Sequence, residues 1–218
     1  ELCQQGIACA NLESRETPLA PSAQTLIKAA PLQARAMDLN DIRAVRASHR
    51  ASALLAKRAG YDIVYVYAGH DLSLAQHFLL PRYNQRCDEY GGSLENRVRL
   101  LRELIEDTKE AVGDTCAVAV RLAVDELLGA DGIEAEGEAP DIIAMLAELP
   151  DLWDVNISNW SNDSQTARFA EEGYQDGYTA FVKSLTSKPV VGVGRYTSPD
   201  RMAAMVAKGV LDFIGAAR

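Results

Sequence analysis

The sequence predicts an α/β fold with a parallel sheet, because short apolar runs alternate with helical patterns along the chain. Several of these runs are almost continuously apolar, which is typical of strands buried on both faces of a parallel sheet. Strict alternation of strand and helix favours a sheet that is either open or closed into a barrel. The predicted strands are Leu2–Gln4, Asp62–Tyr67, Ala117–Ala123, Trp153–Ile157, Val190–Val193 and Phe213–Ala216.

Helix boundary signals lie between the predicted strands. Asp38 precedes a helical pattern with Ile42, Val45 and Leu55 on its apolar side. Gly60 is expected to end this helix, because glycine adopts the left-handed conformation common just past a helix C-terminus. The further helices are expected from Ser93 to Gly113, over Pro140–Leu149, over Thr179–Thr186, and from Ser198-Pro199 to Gly209.

The ends of the chain suggest one incomplete domain. Glu1 opens a strand-like segment, and Arg218 directly follows another. The predicted strands fall short of the eight in a complete (β/α)8 barrel, which typically takes about 250 residues, whereas the chain has 218. We therefore expect a single domain over residues 1–218, truncated at both ends. Within it, the polar stretch Asn11–Ala36 is long enough to indicate a functional or covering loop.

The composition excludes several classes of partner. The net charge of −9 argues against nucleic acid. No segment approaches the roughly 18 consecutive apolar residues of a membrane span, and no signal peptide is visible. The four cysteines show no CxxC pairing, which predicts reduced thiols in a cytoplasmic protein and no metal site among them.

Polar and aromatic side chains lie at or just after the carboxyl ends of the predicted strands. In a barrel of parallel strands, chemistry takes place at these ends, so the side chains are expected to gather there. Each also has an ordinary structural alternative, such as a strand aromatic, a structural histidine, a turn residue or an exposed chain end. The residues are Tyr67, His70, Arg121, Trp160, Asp163, Gly194, Arg195 and Arg218.

Two of these regions carry more specific chemistry. Arg121 lies inside the apolar run AVAVRLAV, and a buried arginine needs an anionic or polar partner. The segment GVGRYTSPD places small residues between a strand and a helix N-terminus, where backbone N–H groups and the helix dipole suit a phosphate. Gly194, Arg195 and Arg218 would surround that phosphate if the last two strands are the seventh and eighth of a barrel.

The segment NQRCDEYGGSLENRVRLL, residues 84–101, resembles the N-x-R-x-D-x-Y-G-G-S-x-E-N-R signature of the Old Yellow Enzyme superfamily. By itself it predicts a turn at Asp88, Gly91 and Gly92, a helix cap at Ser93, and charges in a structural network. NLESRETPLAPS, GYDIVYVYAGH, WDVNISNWSND and KPVVGVGRYTSPDRM are similar to the trimethylamine, dimethylamine and histamine dehydrogenase branch. The resemblance covers essentially the whole chain.

The resemblance implies the third to eighth strands of a (β/α)8 TIM barrel that binds FMN. It also implies a 4Fe–4S cluster and ADP in a region after the chain, and a flavin-linking cysteine before it. Arg121 would lie beneath the flavin N1/C2 carbonyl region, and Glu1 near the flavin pyrimidine. The implied roles are catalytic for Tyr67, His70 and Asp163, substrate-binding for Trp160, and phosphate-binding for Gly194, Arg195, Ala217 and Arg218.

The function that the resemblance implies is FMN-dependent oxidation of a small amine of the dimethylamine, trimethylamine or histamine type, with hydride transfer to flavin. A shorter loop before Trp160 and an unusual QQG near the start of the chain leave the amine open. The resemblance further implies a homodimer and an electron-transfer protein as acceptor. The alternatives are an NAD(P)H-dependent ene-reductase of the 2,4-dienoyl-CoA reductase type, a non-catalytic fragment, and a phosphate-sugar barrel enzyme without flavin.

Overall fold

A computed structural model of the chain describes residues 17–25, 33–162 and 169–216. It divides into two compact units, residues 1–118 and residues 119–218. Their strands and helices alternate along the chain, as predicted for an α/β protein. No helix in the described part of the chain is both long enough and apolar enough to cross a membrane.

The first elements described in the first unit form a small sheet. Strand β3 (Gln33–Ala36) lies between β1 (Leu19–Ala20), to which it is parallel, and β2 (Gln24–Thr25), to which it is antiparallel. All three lie in the stretch that the sequence indicated as a loop. Short strands form there because a segment packed on the protein must still pair its backbone N–H and C=O groups.

Helix α1 (Leu39–Arg58) begins at a capping box, in which the side chains of Asp38 and Asp41 each accept the other residue's backbone N–H. Its buried face includes Ile42 and Val45, as predicted, but Leu55 is 61% exposed. The reason is the helical period of 3.6 residues, which continues this face at His49 and Ala53 and turns Leu55 away from it. This face packs against the later helix α3.

Strand β4 (Ile63–Ala68) follows and leads into α2 (Leu74–Leu79), a short helix that the sequence did not predict. Ser73 caps α2 by accepting the backbone N–H of Gln76 at 3.3 Å. Every residue of α2 is buried, so the segment lacks the one-sided apolar pattern by which a surface helix is recognised. Helix α2 packs against β4 and α3 (Leu94–Val112).

The signature segment connects α2 to α3 and is structural, as predicted. Asn84 donates from Nδ2 to the backbone oxygens of Phe78 and Tyr90, both at 2.7 Å. Arg86 donates to the backbone oxygen of Pro21 at 3.0 Å and forms an ion pair with Asp88. These side chains therefore satisfy backbone carbonyls of the loop, and Ser93 caps α3 as expected.

The second unit contains a parallel sheet of four strands in chain order, β5 (Ala117–Asp125, from residue 119 onward), β6 (Leu152–Ile157), β7 (Val190–Gly192) and β8 (Phe213–Ile214). The helices described in this unit include α4 (Ala139–Leu146), α5 (Asp176–Thr179), α6 (Val182–Leu185) and α7 (Pro199–Ala207).

The predicted strands and helices are largely confirmed. Each predicted strand on described residues is present, whereas Leu2–Gln4 lies outside them. The helix predicted over Thr179–Thr186 consists instead of the short helices α5 and α6. Helix α7 begins after the Ser198 cap with proline at its first position, as expected.

Candidate active site

Left-handed backbone conformations mark the carboxyl ends of the strands. Among the described residues, every non-glycine residue with positive φ lies one to three positions after the last residue of β4, β5, β6 or β7. Such conformations cost about 1–3 kcal/mol each and are concentrated at functional sites. The strand ends to which the sequence assigned the chemistry therefore also carry backbone strain. The residues are His70, Asp71, Leu127, Ser158 and Arg195.

Tyr67 and His70 form a pair at the carboxyl end of β4. The phenol oxygen of Tyr67 lies 2.5 Å from Nδ1 of His70. The two residues are 7% and 8% exposed, so the bond is largely shielded from water. Their side chains can hold or exchange a proton between phenol and imidazole, which is the chemistry required for general acid–base catalysis. The structure thus brings these two predicted site residues into direct contact.

Arg121 lies opposite Asp154 on the neighbouring strand β6. Its NH1 atom is 3.8 Å from Oδ2 of Asp154, which supplies the anionic partner that the sequence required. The strand continues to Asp125, so Arg121 is in its middle and not near its end as expected. The Arg121 side chain is 35% exposed, whereas that of Asp154 is 10% exposed. The pair thus places a cation in the sheet with part of its surface available for a ligand.

Trp160 lies on a turn after β6 that side-chain hydrogen bonds hold in shape. Asn159 Oδ1 accepts the backbone N–H of Ser161 at 2.8 Å, and Asn162 Oδ1 accepts that of Asn159 at 2.9 Å. Asn162 also donates to the backbone oxygen of Glu126 at 3.2 Å. The indole of Trp160 is 56% exposed on this turn, so a large part of its surface is accessible.

Gly194 and Arg195 follow β7 in unusual backbone conformations. The φ of Gly194 is 158°, and a Cβ there would lie 3.3 Å from Cβ of Gln175. Arg195 has φ 56° and donates from NH1 to the backbone oxygen of Ala170 at 3.0 Å. A Cβ at Gly194 would therefore crowd Gln175, and the backbone conformation itself favours glycine.

The carboxylate of Glu172 reaches the turn just before α7. Its Oε1 accepts the backbone N–H groups of Thr197 at 2.7 Å and Ser198 at 2.6 Å. These two bonds hold the pKa of Glu172 below its usual value, and the bond with Ser198 has the larger effect. The N–H groups that the sequence assigned to a phosphate are thus partly used by a carboxylate. Any phosphate in this region would depend on Gly194 and Arg195.

Several predicted site residues lie outside the described part of the chain, namely Glu1, Asp163, Ala217 and Arg218. Their roles stay predictions. The sequence did not single out Asp71, Asp154 or Glu172, although a charged residue within the apolar run at 152–157 was a signal for Asp154. No group of three or more His, Cys, Asp or Glu side chains within residues 17–25, 33–162 and 169–216 is arranged to hold a metal ion.

Comparison with known proteins identifies the family. The chain is 38% identical over 184 residues to dimethylamine dehydrogenase of Hyphomicrobium sp. (strain x), an alignment that covers 83% of the chain and 25% of that protein. Its structure matches 6-hydroxypseudooxynicotine amine oxidase of Pseudomonas geniculata N1 with a TM-score of 0.96 and 52% identity, over 100% of this chain and 33% of the other. Histamine dehydrogenase of Rhizobium sp. 4-9 matches with a TM-score of 0.93 and 48% identity, over 99% and 32%.

The chain thus spans a quarter to a third of the length of these three relatives. The model of the NADH:flavin oxidoreductase / NADH oxidase family matches residues 1–218. Together with the similarity to solved structures, this match confirms the (β/α)8 barrel as the fold class. The chain belongs to the NADH:flavin oxidoreductase / NADH oxidase family.

Proposed function

We propose that this chain is the flavin-binding barrel of an FMN-dependent oxidoreductase that dehydrogenates a small amine. The observation that carries the proposal is the buried hydrogen bond between Tyr67 and His70 at the end of β4. The relatives named dimethylamine dehydrogenase, histamine dehydrogenase and 6-hydroxypseudooxynicotine amine oxidase support the substrate class.

The described residues of the second unit fit FMN. Gly194 carries no side chain just after β7, and Arg195 supplies a cation beside it. Gln175, which is 3% exposed and packs against Gly194, has a buried Oε1 without a hydrogen-bond partner among the described residues. A ribityl hydroxyl could donate to that oxygen, which is costly to leave unpaired. Ala217 and Arg218 would complete the phosphate site.

Arg121 would hold the pyrimidine end of the flavin, with Glu1 also near that end. Asp154 orients the guanidinium from the neighbouring strand, and part of the Arg121 side chain remains exposed to a ligand. A fixed cation there stabilises the negative charge that develops in this region, a contribution that needs no rearrangement during reaction. When bound, FMN supplies a two-electron acceptor for the amine.

Tyr67, His70 and Asp163 would control the protonation of the amine. An amine must expose its nitrogen lone pair before the neighbouring C–H bond can be oxidised. The lone pair forms the C=N bond as the hydride equivalent leaves. Transfer of the ammonium proton to the Tyr67–His70 pair would generate that lone pair. Trp160, with its exposed indole, would bind the cationic amine by a cation–π contact worth about 0.5–2 kcal/mol.

The remaining parts of the proposal come from the resemblance. They are a 4Fe–4S cluster and ADP elsewhere in the full-length protein, an electron-transfer protein as acceptor, a homodimer and a cytoplasmic location. Relatives three to four times longer than the matched region leave room for such further domains.

The substrate class can be tested with full-length protein under anaerobic conditions. The oxidised-flavin absorbance is recorded before and after addition of dimethylamine, trimethylamine, histamine or NADPH. The proposal predicts that at least one amine bleaches the flavin faster than NADPH does. Bleaching by NADPH alone would establish an ene-reductase instead, and purified protein without flavin would contradict the cofactor assignment.

A further inference from the structure

The peptide that carries His70 is strained over two consecutive residues. His70 has φ 56° and Asp71 has φ 58°, and both are non-glycine residues in the left-handed region. Such a conformation persists only where surrounding contacts over-determine it. Aspartate and histidine both tolerate the left-handed region better than most residues, but residues usually adopt it singly, so two in succession must be held there by their contacts. The contacts of Asp71 show what holds it.

The carboxylate of Asp71 is the centre of a cluster of side chains. Its Oδ1 lies 3.4 Å from Nε2 of His77 and accepts a bond from NH2 of Arg82 at 3.3 Å. Its Oδ2 accepts the hydroxyl of Tyr83 at 3.0 Å. Asp71 is 7% exposed and His77 is fully buried, so these contacts are largely shielded from water and are correspondingly strong.

The backbone of Asp71 is held as well. Its N–H donates to Oε1 of Gln76 at 2.7 Å, and its carbonyl oxygen lies 3.3 Å from Nε2 of His77. Both partners belong to α2, whose first turn Ser73 caps. Helix α2 therefore holds Asp71 through two sets of contacts, one to the main chain of Asp71 and one to its carboxylate.

Charge favours the same arrangement. Burial alone would raise the pKa of Asp71, but the hydrogen bond and charge of His77, the charge of Arg82 and the hydroxyl of Tyr83 outweigh it and lower the pKa. The pKa of Tyr83 is raised to about 12, first by burial and also by the adjacent Asp71. Asp71 is therefore an anion and Tyr83 a neutral donor under ordinary conditions.

We propose that Asp71 is a positioning residue that fixes the imidazole of His70 against Tyr67 through the strained turn. It acts through the backbone, since its carboxylate contacts His77, Arg82 and Tyr83. This inference rests on the proposed function, in which His70 takes part in amine oxidation.

A double-mutant cycle in the full-length holoenzyme tests the inference. The limiting rate of flavin reduction by the amine that reduces the wild type fastest is measured for wild type, Asp71→Asn, His70→Gln and the double variant. Asp71→Asn is expected to slow reduction about tenfold in the wild type but less than about twofold in the His70→Gln background, because residues that act as a unit are not additive. Equal slowing in both backgrounds would overturn the inference.

Tyr83→Phe provides a second route if Asp71→Asn does not fold with FMN bound. It removes the hydroxyl that bonds to Asp71 at 3.0 Å and keeps the ring that packs edge-on against His77 at 5.0 Å. It should slow reduction by about two- to fivefold, again only while His70 is present. An unchanged rate in Tyr83→Phe and Asp71→Asn alike would contradict a positioning role.

Asp62→Asn is the matched control. Asp62 lies just before β4, at the opposite end of that strand from Tyr67, and is exposed. The limiting rate should stay at the wild-type value in this variant. If His70→Gln itself reduces at the full rate, the catalytic role proposed for His70 fails. If His70→Gln is slow but Asp71→Asn is silent or additive, only the positioning inference fails.

Discussion

The hydroxyl oxygen of Tyr67 lies 2.5 Å from Nδ1 of His70, and both residues are almost completely buried. Tyr67 lies inside β4, near its carboxyl end. His70 follows the strand in a left-handed conformation that turns the imidazole back toward the phenol. The contact thus depends on the strand, on the turn and on the helix that holds the turn.

Tyr67→Phe should slow flavin reduction by the amine about tenfold or more, because it removes the hydroxyl that shares a proton with His70 while keeping the ring. Anaerobic stopped-flow absorbance with full-length enzyme measures the limiting rate. Tyr61→Phe, at a tyrosine that is 63% exposed, is the control and should behave as wild type. Equal rates for Tyr67→Phe and wild type would remove the phenol from the mechanism.

Arg121→Met should lower the FMN content of the purified protein at least about tenfold, because it removes the cation proposed to hold the flavin. The ratio of flavin to protein absorbance measures the content. Arg50→Met removes an arginine from a surface ion pair with Glu110 and should retain FMN. A full complement of FMN in Arg121→Met would refute the flavin role of this arginine.

Gly91→Ala should destabilise the protein by about 1–3 kcal/mol, because the new Cβ would overlap the backbone oxygen of Arg86. Gly177→Ala is the matched control, since a Cβ at Gly177 meets nothing within 4 Å. Thermal unfolding of both variants compares their stability. If the two substitutions had equal effects, the close packing of the signature segment would be disproved.

Asp41→Asn should reduce the thermal stability of the protein near neutral pH but have little effect in acid. The hydrogen bond from Arg35 first, and then that from the backbone of Asp38, lowers the pKa of Asp41 to about 2 from 3.8. A depressed folded-state pKa contributes stability that is present above 3.8 and lost as the pH falls toward about 2. Melting temperatures at a series of pH values measure the difference, which should shrink across that interval. A difference independent of pH would contradict this origin.

Local patterns predicted the helices that bury one face and the strands that are buried on both faces. The continuous apolar runs located β4 to β8, and Asp38, Ser93 and Ser198 marked helix starts, because each cap depends only on neighbouring residues. Helix α2 was missed because it is buried all round. Leu55 was placed on the wrong face because the apolar stripe continues through His49 and Ala53, which are less apolar than leucine.

The candidate site was predictable where a motif carried it and not where it depends on tertiary contact. Tyr67 and His70 could be singled out because they follow a predicted strand. The importance of Asp71 could not, because its partners His77, Arg82 and Tyr83 come into reach only once α2 has formed. Glu172 likewise reaches the turn before α7 from more than twenty residues away.

The most direct test of the account is the limiting rate of anaerobic flavin reduction in His70→Gln compared with wild type. Full-length protein with matched FMN content is mixed with a saturating amine that reduces the wild type. We predict a rate that is at least about a hundredfold lower, since the variant cannot relay the ammonium proton through an imidazole. Reduction of the variant at the wild-type rate would show that His70 and its contact with Tyr67 have no part in the chemistry.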